Sequence, residues 1–499
     1  VEQICKHTPG FDLRKIPEDD RETFDLFSRG DTVGVFQFES PGMREYLKQL
    51  KPDTIEDLMA MNALYRPGPM EYIPKFIARK QGKEEVSYDH PSLEPLLSET
   101  YGVMVYQEQV MEILQALAGF TLARADVIRV AMAKKKPEEM KEHRDGFIQG
   151  CLSNGHDRKM AEKIFADIDV FSGYAFNKSH AAAYAVVAYQ NAYLKAHYPK
   201  EYLAASLNGE IGNIDRIVTV IEACRRMGME VLPPDVNESY ANFVASGSGL
   251  RMGMAALRNV GRSAVDSIVA AREEGEPFES LFDFCERIDL RSVNRRAIEG
   301  LICAGAFESL EGNRARLLAG LDRALEVALV AQVDRHRRQI TLFETEGMQA
   351  QAEIVNNQVL PEVAEWSVKE QLAREKEMIG FYLSGHPMER YKKDLLYLGT
   401  KPLKDIEGLS EGAKVRLGGI IVEVKSHTDR NRRPMAFVTV EDQEDSIDVV
   451  VFPDVYSRLA DKLVTDEVLV CEGRISIRNG RTSIQLEDAM SIEHARETF

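Results

Sequence analysis

The stretch FSGYAFNKSHAAAYAVVAY, residues 171–189, sets Asn177, Lys178, Ser179 and His180 in a row between a Gly-aromatic loop and an Ala-rich run. Ala-rich sequence forms helix readily and Ser179 is a good N-cap, so a helix is predicted to start there. Its unpaired N–H groups and positive dipole end would lie beside Lys178, a combination that attracts phosphate, carboxylate or sulfate. Capping and packing also account for the same residue types, with Ser179 as cap, His180 in the first turn and Lys178 in solvent. Neighbouring sequence has to separate the two.

RADVIRVAMAKKKPEEMKEHR, residues 124–144, places Arg129, Lys134, Lys135 and Lys136 close together. Helical spacing brings Arg129 near the face of Lys136 and leaves Lys134 and Lys135 to either side, ahead of the break at Pro137. Such a run is most often a solvated face. In ALYRPGPM, residues 63–70, Pro67 and Pro69 stiffen a turn at Gly68 that presents Arg66. YGVMVYQEQVMEI, residues 101–113, puts Tyr106, Gln107 and Gln109 at a helix start. Each signal is weak alone. Together the cationic loops and the polar helix start make a candidate surface for a triphosphate or a DNA backbone.

A chain of 499 residues exceeds what one core organises, so several domains are expected. No stretch of about eighteen uninterrupted apolar residues occurs, and VEQICKHTPG at the start has no basic region followed by an apolar one. Neither a signal peptide nor a membrane anchor is expected. Six cysteines lie far apart without a CxxC pair, which argues against a structural zinc site and a disulfide framework and fits a reducing, cytoplasmic setting. The formal net charge of −17 excludes a protein that coats nucleic acid over its whole surface. Nucleic-acid contact would have to come from local basic patches. Val1, in place of an initiator Met, suggests a fragment.

From Arg21 to about Gly209 the pattern is mostly helical, and LPPDVN, residues 232–237, forces extended chain at a boundary. Smaller helices follow to about Ala331, then a Gln-, Glu- and Asn-rich linker over 344–361 and a helical piece near 368–383. After Lys401 the texture becomes β-rich: KVRLGGIIVEVKS, MAFVTVED, SIDVVVF, EVLVCEGRISI and TSIQLE, separated by Asn, Gly and Asp turns. FPDVYSRLADKL scans as one helix between the third and fourth runs, where an oligonucleotide/oligosaccharide-binding (OB) barrel carries one. The expected fold is multidomain: mainly α-helical, ending in a small all-β OB-fold barrel.

The words VFQFESPGM (35–43), LYRPGPM (64–70), YGVMVYQEQVM (101–111), RVAMAKKKPEEM (129–140), FSGYAFNKSHAAAYA (171–185), YLKAHYPKEYLAA (193–205) and VLPPDVN (231–237) resemble, in order, the fingers of the bacterial replicative DNA polymerases of family C. The resemblance covers essentially the whole chain. It implies a fingers domain over 1–236, whose first ~20 residues adjoin a palm absent from this chain, a helix-hairpin-helix and sliding-clamp-binding domain over 237–345, a linker with a helical segment over 346–400, and an OB-fold domain over 401–499. By the same resemblance, Arg129, Lys134, Asn177, Lys178 and His180, with Tyr106 and Gln107 nearby, face the phosphates of an incoming deoxynucleoside triphosphate (dNTP). Lys135, Lys136 and Arg66 are DNA-side candidates. Family members usually read RRAMGKKK where this chain has RVAMAKKK, so Val130 and Ala133 replace an arginine and a glycine. The aspartates that hold two magnesium ions for phosphoryl transfer belong, in the family, to the palm. Asp12, Asp19 and Asp20 read as an acidic helix start, so no catalytic or metal residue and no cofactor is assigned to this chain.

LRNVGRSAVDSIVAAREEG, residues 257–275, resembles a helix-hairpin-helix, two helices around the turn Asn259-Val260-Gly261, flanked by Arg258 and Arg262. Asn is the residue after glycine most tolerant of positive φ. Gln339, Leu342 and Phe343 in QITLF resemble the clamp-binding pentapeptide, a glutamine at a pocket rim with two apolar anchors. The barrel's loop KSHTDRNRRP, residues 425–434, offers Lys425, Arg430, Arg432 and Arg433 to single-stranded template; Phe437 and Phe452 are the main candidates for base stacking, but both fall within strands, where a core role is expected. Implied partners are primer-template DNA, dNTP, the beta sliding clamp and the holoenzyme subunits epsilon and tau, with no membrane. Two alternatives stay open: an error-prone paralogue of family C, and a non-catalytic DNA-binding clamp adaptor.

Overall fold

The computed structural model describes residues 1–134, 137–172, 174–247, 249–310, 313–338, 358–406, 408–442, 445–478 and 481–498. Two compact units emerge: Val1–Val231 with Phe243–Arg251, and Leu232–Asn242 with Met252–Phe499. The division falls at the start of LPPDVN, and the chain returns to the first unit over 243–251. Asn208 explains the return: its side chain accepts from Phe243 N at 2.7 Å and donates to Phe243 O at 2.9 Å. A short antiparallel hairpin, Val244–Ser246 with Gly249–Arg251, follows that anchor.

The first unit is helical, and its helices begin where capping chemistry puts them. Helix α1, Arg21–Arg29, starts at Asp20, whose carboxylate accepts from Thr23 N at 2.8 Å and pairs with His197 Nε2 at 2.9 Å. The acidic PEDD run is thus a helix start, as its sequence suggests. Helices α2 (Ile55–Leu64), α3 (Gln107–Ala118), α4 (Leu122–Lys134) and α5 (Lys178–His197) frame the region treated below. One core packs the Ala face of α5, through Ala181, Ala185, Ala188 and Ala192, against α1 and α2. Small side chains let the backbones approach closely, which is why the Ala-rich run is buried along one face. A second core gathers α3, α4 and the flanking helices around Leu114, Ile128, Phe147 and Phe165.

The second unit joins helices to a barrel. Helix α6, Arg262–Glu274, is followed by α7, Arg314–Arg338, and α8, Val368–Ile379. α8 is pinned by a buried pair, Arg314 Nη1 to Glu375 Oε2 at 3.1 Å, and Glu375 also accepts from Leu383 N and Ser384 N at 2.8 Å each. Strands β1 (Lys414–Thr428), β2 (Pro434–Glu441), β3 (Ser446–Val451), β4 (Val468–Arg478) and β5 (Arg481–Ser491) close in the order β1-β2-β3-β5-β4. A helix, Pro453–Leu459, lies between β3 and β4. The five predicted strands and their single helix are all present, in the closed arrangement of an OB barrel. β1 serves both neighbours, pairing with β4 up to Ile420 and with β2 from Ile420 onward, with a bulge between Ile421 and Glu423. No helix among the described residues is long and apolar enough to cross a membrane.

Candidate nucleotide and nucleic-acid interface

Helix α5 starts two residues earlier than Ser179 capping would allow. Asn177, not Ser179, is the N-cap, with its Oδ1 accepting from His180 N at 2.9 Å. Both residue types cap well; the chain entering from Phe176 is extended at Asn177, and that backbone decides. The preceding segment is held by a parallel bridge to α3: Phe176 N donates to Val105 O at 3.3 Å and Gln107 N to Phe176 O at 2.8 Å. Gln107 Nε2 adds a bond to Ala175 O at 3.1 Å. The starts of α3 and α5 therefore sit side by side.

That juxtaposition gathers most of the residues singled out in the fingers. Arg129 on α4 donates to Gln107 Oε1 at 3.1 Å and pairs with Asp126 at 2.8 Å. Lys178 Nζ lies 2.7 Å from Glu99 Oε2 and 5.6 Å from the centroid of the Tyr106 ring. His180 stacks between Phe176, at 5.3 Å, and Tyr184, at 4.2 Å, and Tyr184 in turn meets Phe36 at 5.1 Å. Arg66 reaches the same segment, donating to Tyr174 O at 2.8 Å with its guanidinium 4.3 Å from the Phe176 ring. Gly68 holds φ at +100°, and a Cβ there would strike the Tyr174 ring, so the Arg66 turn requires glycine. Lys134 ends α4, and its side chain lies outside the described residues, as do Lys135 and Lys136 entirely.

Sequence reasoning missed the carboxylates. Glu108 spans the start of α5, its Oε1 accepting from Asn177 Nδ2 and its Oε2 from Lys178 N, both at 2.9 Å. A negative charge at a helix N-terminus is where the dipole favours one. Glu108 was visible in YQEQV between two glutamines already named; Glu99, in LSET, carried no signal because its partner is 79 positions away. Tyr106 is not a surface group: it is fully buried, its hydroxyl has no partner among the described residues, and burial pushes its pKa up. Gln109 is likewise internal, its Oε1 accepting from Val105 N at 2.8 Å and Tyr106 N at 3.0 Å.

In the second unit, Asn259 adopts φ +66° as its residue type allows, but the element before it is a single 3-10 turn, Met254–Ala256, rather than a full helix. Gly261 has φ −74° and caps α6, so it supplies no left-handed backbone, and a Cβ there would meet only Ser263 Oγ at 4.0 Å. Arg258, Asn259, Gly261 and Arg262 are all exposed. In the barrel, Lys425 belongs to β1 and pairs with Glu423 at 2.8 Å. Arg433 is engaged by Asp429 at 3.0 Å and Asp454 at 3.2 Å. Arg430 and Arg432 are exposed, and their side chains make no hydrogen bond or ion pair among the described residues. Phe437 corrects the core assignment: it is 42 % exposed and pairs with His427 at 6.0 Å on the outer face, because β2 alternates and Ala436 and Val438 take the inner one. Phe452 is half-buried at the N-cap of the 453–459 helix. Gln339, Leu342 and Phe343 lie outside the described residues.

Residues 1–155 match the family model of the bacterial DNA polymerase III alpha subunit finger domain, 228–317 that of a helix-hairpin-helix motif, and 415–492 that of an OB-fold nucleic acid binding domain. The DNA polymerase III subunit alpha of Borreliella burgdorferi is 41% identical over 98% of this chain. The chain is similar to part of the DNA polymerase III alpha subunits over nearly its whole length. Its relatives from Neisseria meningitidis serogroup B and Escherichia coli K12 are 42% and 38% identical over 99% and 98% of it. It spans 42% to 43% of the length of these three alpha subunits. Among the described residues, no group of three or more His, Cys, Asp and Glu is arranged to hold a metal ion.

Proposed function

We propose that this chain is the nucleotide- and DNA-binding portion of a replicative DNA-directed DNA polymerase. In this reading the first unit binds the triphosphate of an incoming dNTP, the helix-hairpin-helix holds the duplex backbone of primer-template DNA, and the barrel approaches single-stranded template. One observation carries it: Arg129 and Lys178, 49 positions apart in the sequence, meet adjacent residues, Gln107 directly and Glu108 through Lys178 N, at a single helix start. Cations fixed around a helix N-terminus suit polyanionic oxygen, and an aromatic row beside them suits a nucleobase. Phosphoryl transfer itself is not proposed for any residue of this chain, and neither is magnesium binding.

Replacing Lys178 by alanine in the full-length enzyme is expected to raise the apparent KM for dNTP about tenfold or more, the loss of one charge-assisted contact. Unchanged steady-state kinetics would count against the assignment. The pentapeptide Gln339–Phe343 is proposed to dock the beta sliding clamp. The double replacement of Leu342 and Phe343 by alanine should abolish clamp-stimulated processivity while sparing distributive synthesis; undiminished clamp capture by the variant in a pull-down would refute it.

A further inference from the structure

The cation proposed to meet the triphosphate already holds an anion. Lys178 Nζ and Glu99 Oε2 are 2.7 Å apart, with side chains 38 % and 33 % exposed. Among the described residues Glu99 has no hydrogen-bond partner but Lys178. The other carboxylates nearby are committed differently: Glu108 bridges Asn177 and the backbone of Lys178, and Asp126 pairs with Arg129 one turn away on its own helix. Glu99 comes from the 98–100 turn, on a separate segment, and among the described residues its carboxylate hydrogen-bonds only to the ammonium.

We infer that Glu99 is an internal counter-ion that competes with the nucleotide for Lys178, and that exchange of its carboxylate for a phosphate oxygen sets nucleotide affinity. This rests on the reading of Lys178 as a phosphate ligand. The pair is partly shielded from water, so its attraction exceeds that of a fully solvated pair, and it is open enough for another anion to enter. An ammonium in contact with a carboxylate is held over Tyr106 in one position, ready for an incoming oxygen. The same contact has to be surrendered on binding, so its strength is subtracted from the affinity. Glu99 is thereby a positioning residue: it fixes the ammonium in the free protein and weakens the complex.

The test is a double-mutant cycle in the full-length protein, read as equilibrium binding of dATP to the enzyme on primed DNA. Glu99→Gln keeps size and removes charge, and is expected to tighten dATP binding about three- to tenfold. Glu99→Asp, which keeps the charge, should stay within about twofold of wild type. In a Lys178→Ala background the Glu99→Gln change should have no effect, since the competition is gone. If Lys178→Ala leaves affinity unchanged, the phosphate assignment fails. If Lys178→Ala weakens binding while Glu99→Gln leaves it unchanged or weakens it too, that assignment survives and the counter-ion inference is overturned. Tightening by Glu99→Gln that persists without Lys178 would also overturn it, because it would mark a general charge effect.

Discussion

Lys195 is a cation inside the helical unit, 1 % exposed, with Nζ donating to Asp31 O at 2.7 Å and Val33 O at 2.8 Å. Burial brings its pKa down to about 8. The sign follows: between about pH 8 and the unfolded value near 10.5, the unfolded chain holds more protons at this site than the folded one. Its contribution to stability therefore rises with pH across that window, by at most about 1.4 kcal/mol per unit. Denaturant unfolding at pH 8 and pH 10 checks this, with the wild type gaining on Lys195→Met at the higher pH; an equal response of both proteins would remove the effect. YLKAHY gave no sign of a buried lysine, because the two acceptors are backbone carbonyls about 160 residues away. Asn177 shows the opposite case. Its sequence neighbourhood located the helix start, and only the extended entry from Phe176 chose it over Ser179 as cap.

At the scale of elements, the turn before α6 combines an expected backbone with an unexpected neighbour. Asn259 has φ +66°, and Arg258 N donates to Met378 O at 2.9 Å, so the turn is anchored to α8 as well as to its own helix. Asn259→Gly should be nearly neutral, whereas Asn259→Ala should cost about 1 kcal/mol, since alanine lacks the local bonding that lets asparagine tolerate this region. The same pair of variants checks function: duplex-DNA affinity should follow the integrity of the turn, falling for alanine and holding for glycine. Legibility here was uneven. The turn type was readable from Asn-Val-Gly, but the leading helix is only a 3-10 turn, because the preceding strand runs to Arg251 and leaves few residues before Asn259. In the barrel, hydrophobic alternation yielded all five strands, while the side that Phe437 faces depended on register.

For the whole molecule, charge decides where nucleic acid can lie. With a net charge of −17, non-specific attraction to DNA is weak except where cations outnumber nearby acids. Of the four cations read from the barrel loop, Lys425 and Arg433 are neutralised by Glu423, Asp429 and Asp454, which leaves the side chains of Arg430 and Arg432 available. Single-stranded DNA affinity is therefore expected to show a shallow salt slope of about −1.4, two phosphates at roughly 0.7 each. Fluorescence anisotropy titrations over a range of salt measure it. Replacing both arginines should flatten the slope, and a slope unaffected by that change would reject the loop as the contact. Sequence alone determined the kinds of unit, their order and the cationic words, because helix propensity, strand alternation and local caps act within a few residues. Tertiary structure alone decided which cations remain available and which are answered by acids such as Glu99 and Asp454. Ion pairing falls off over a few ångströms in space and takes no account of distance along the chain.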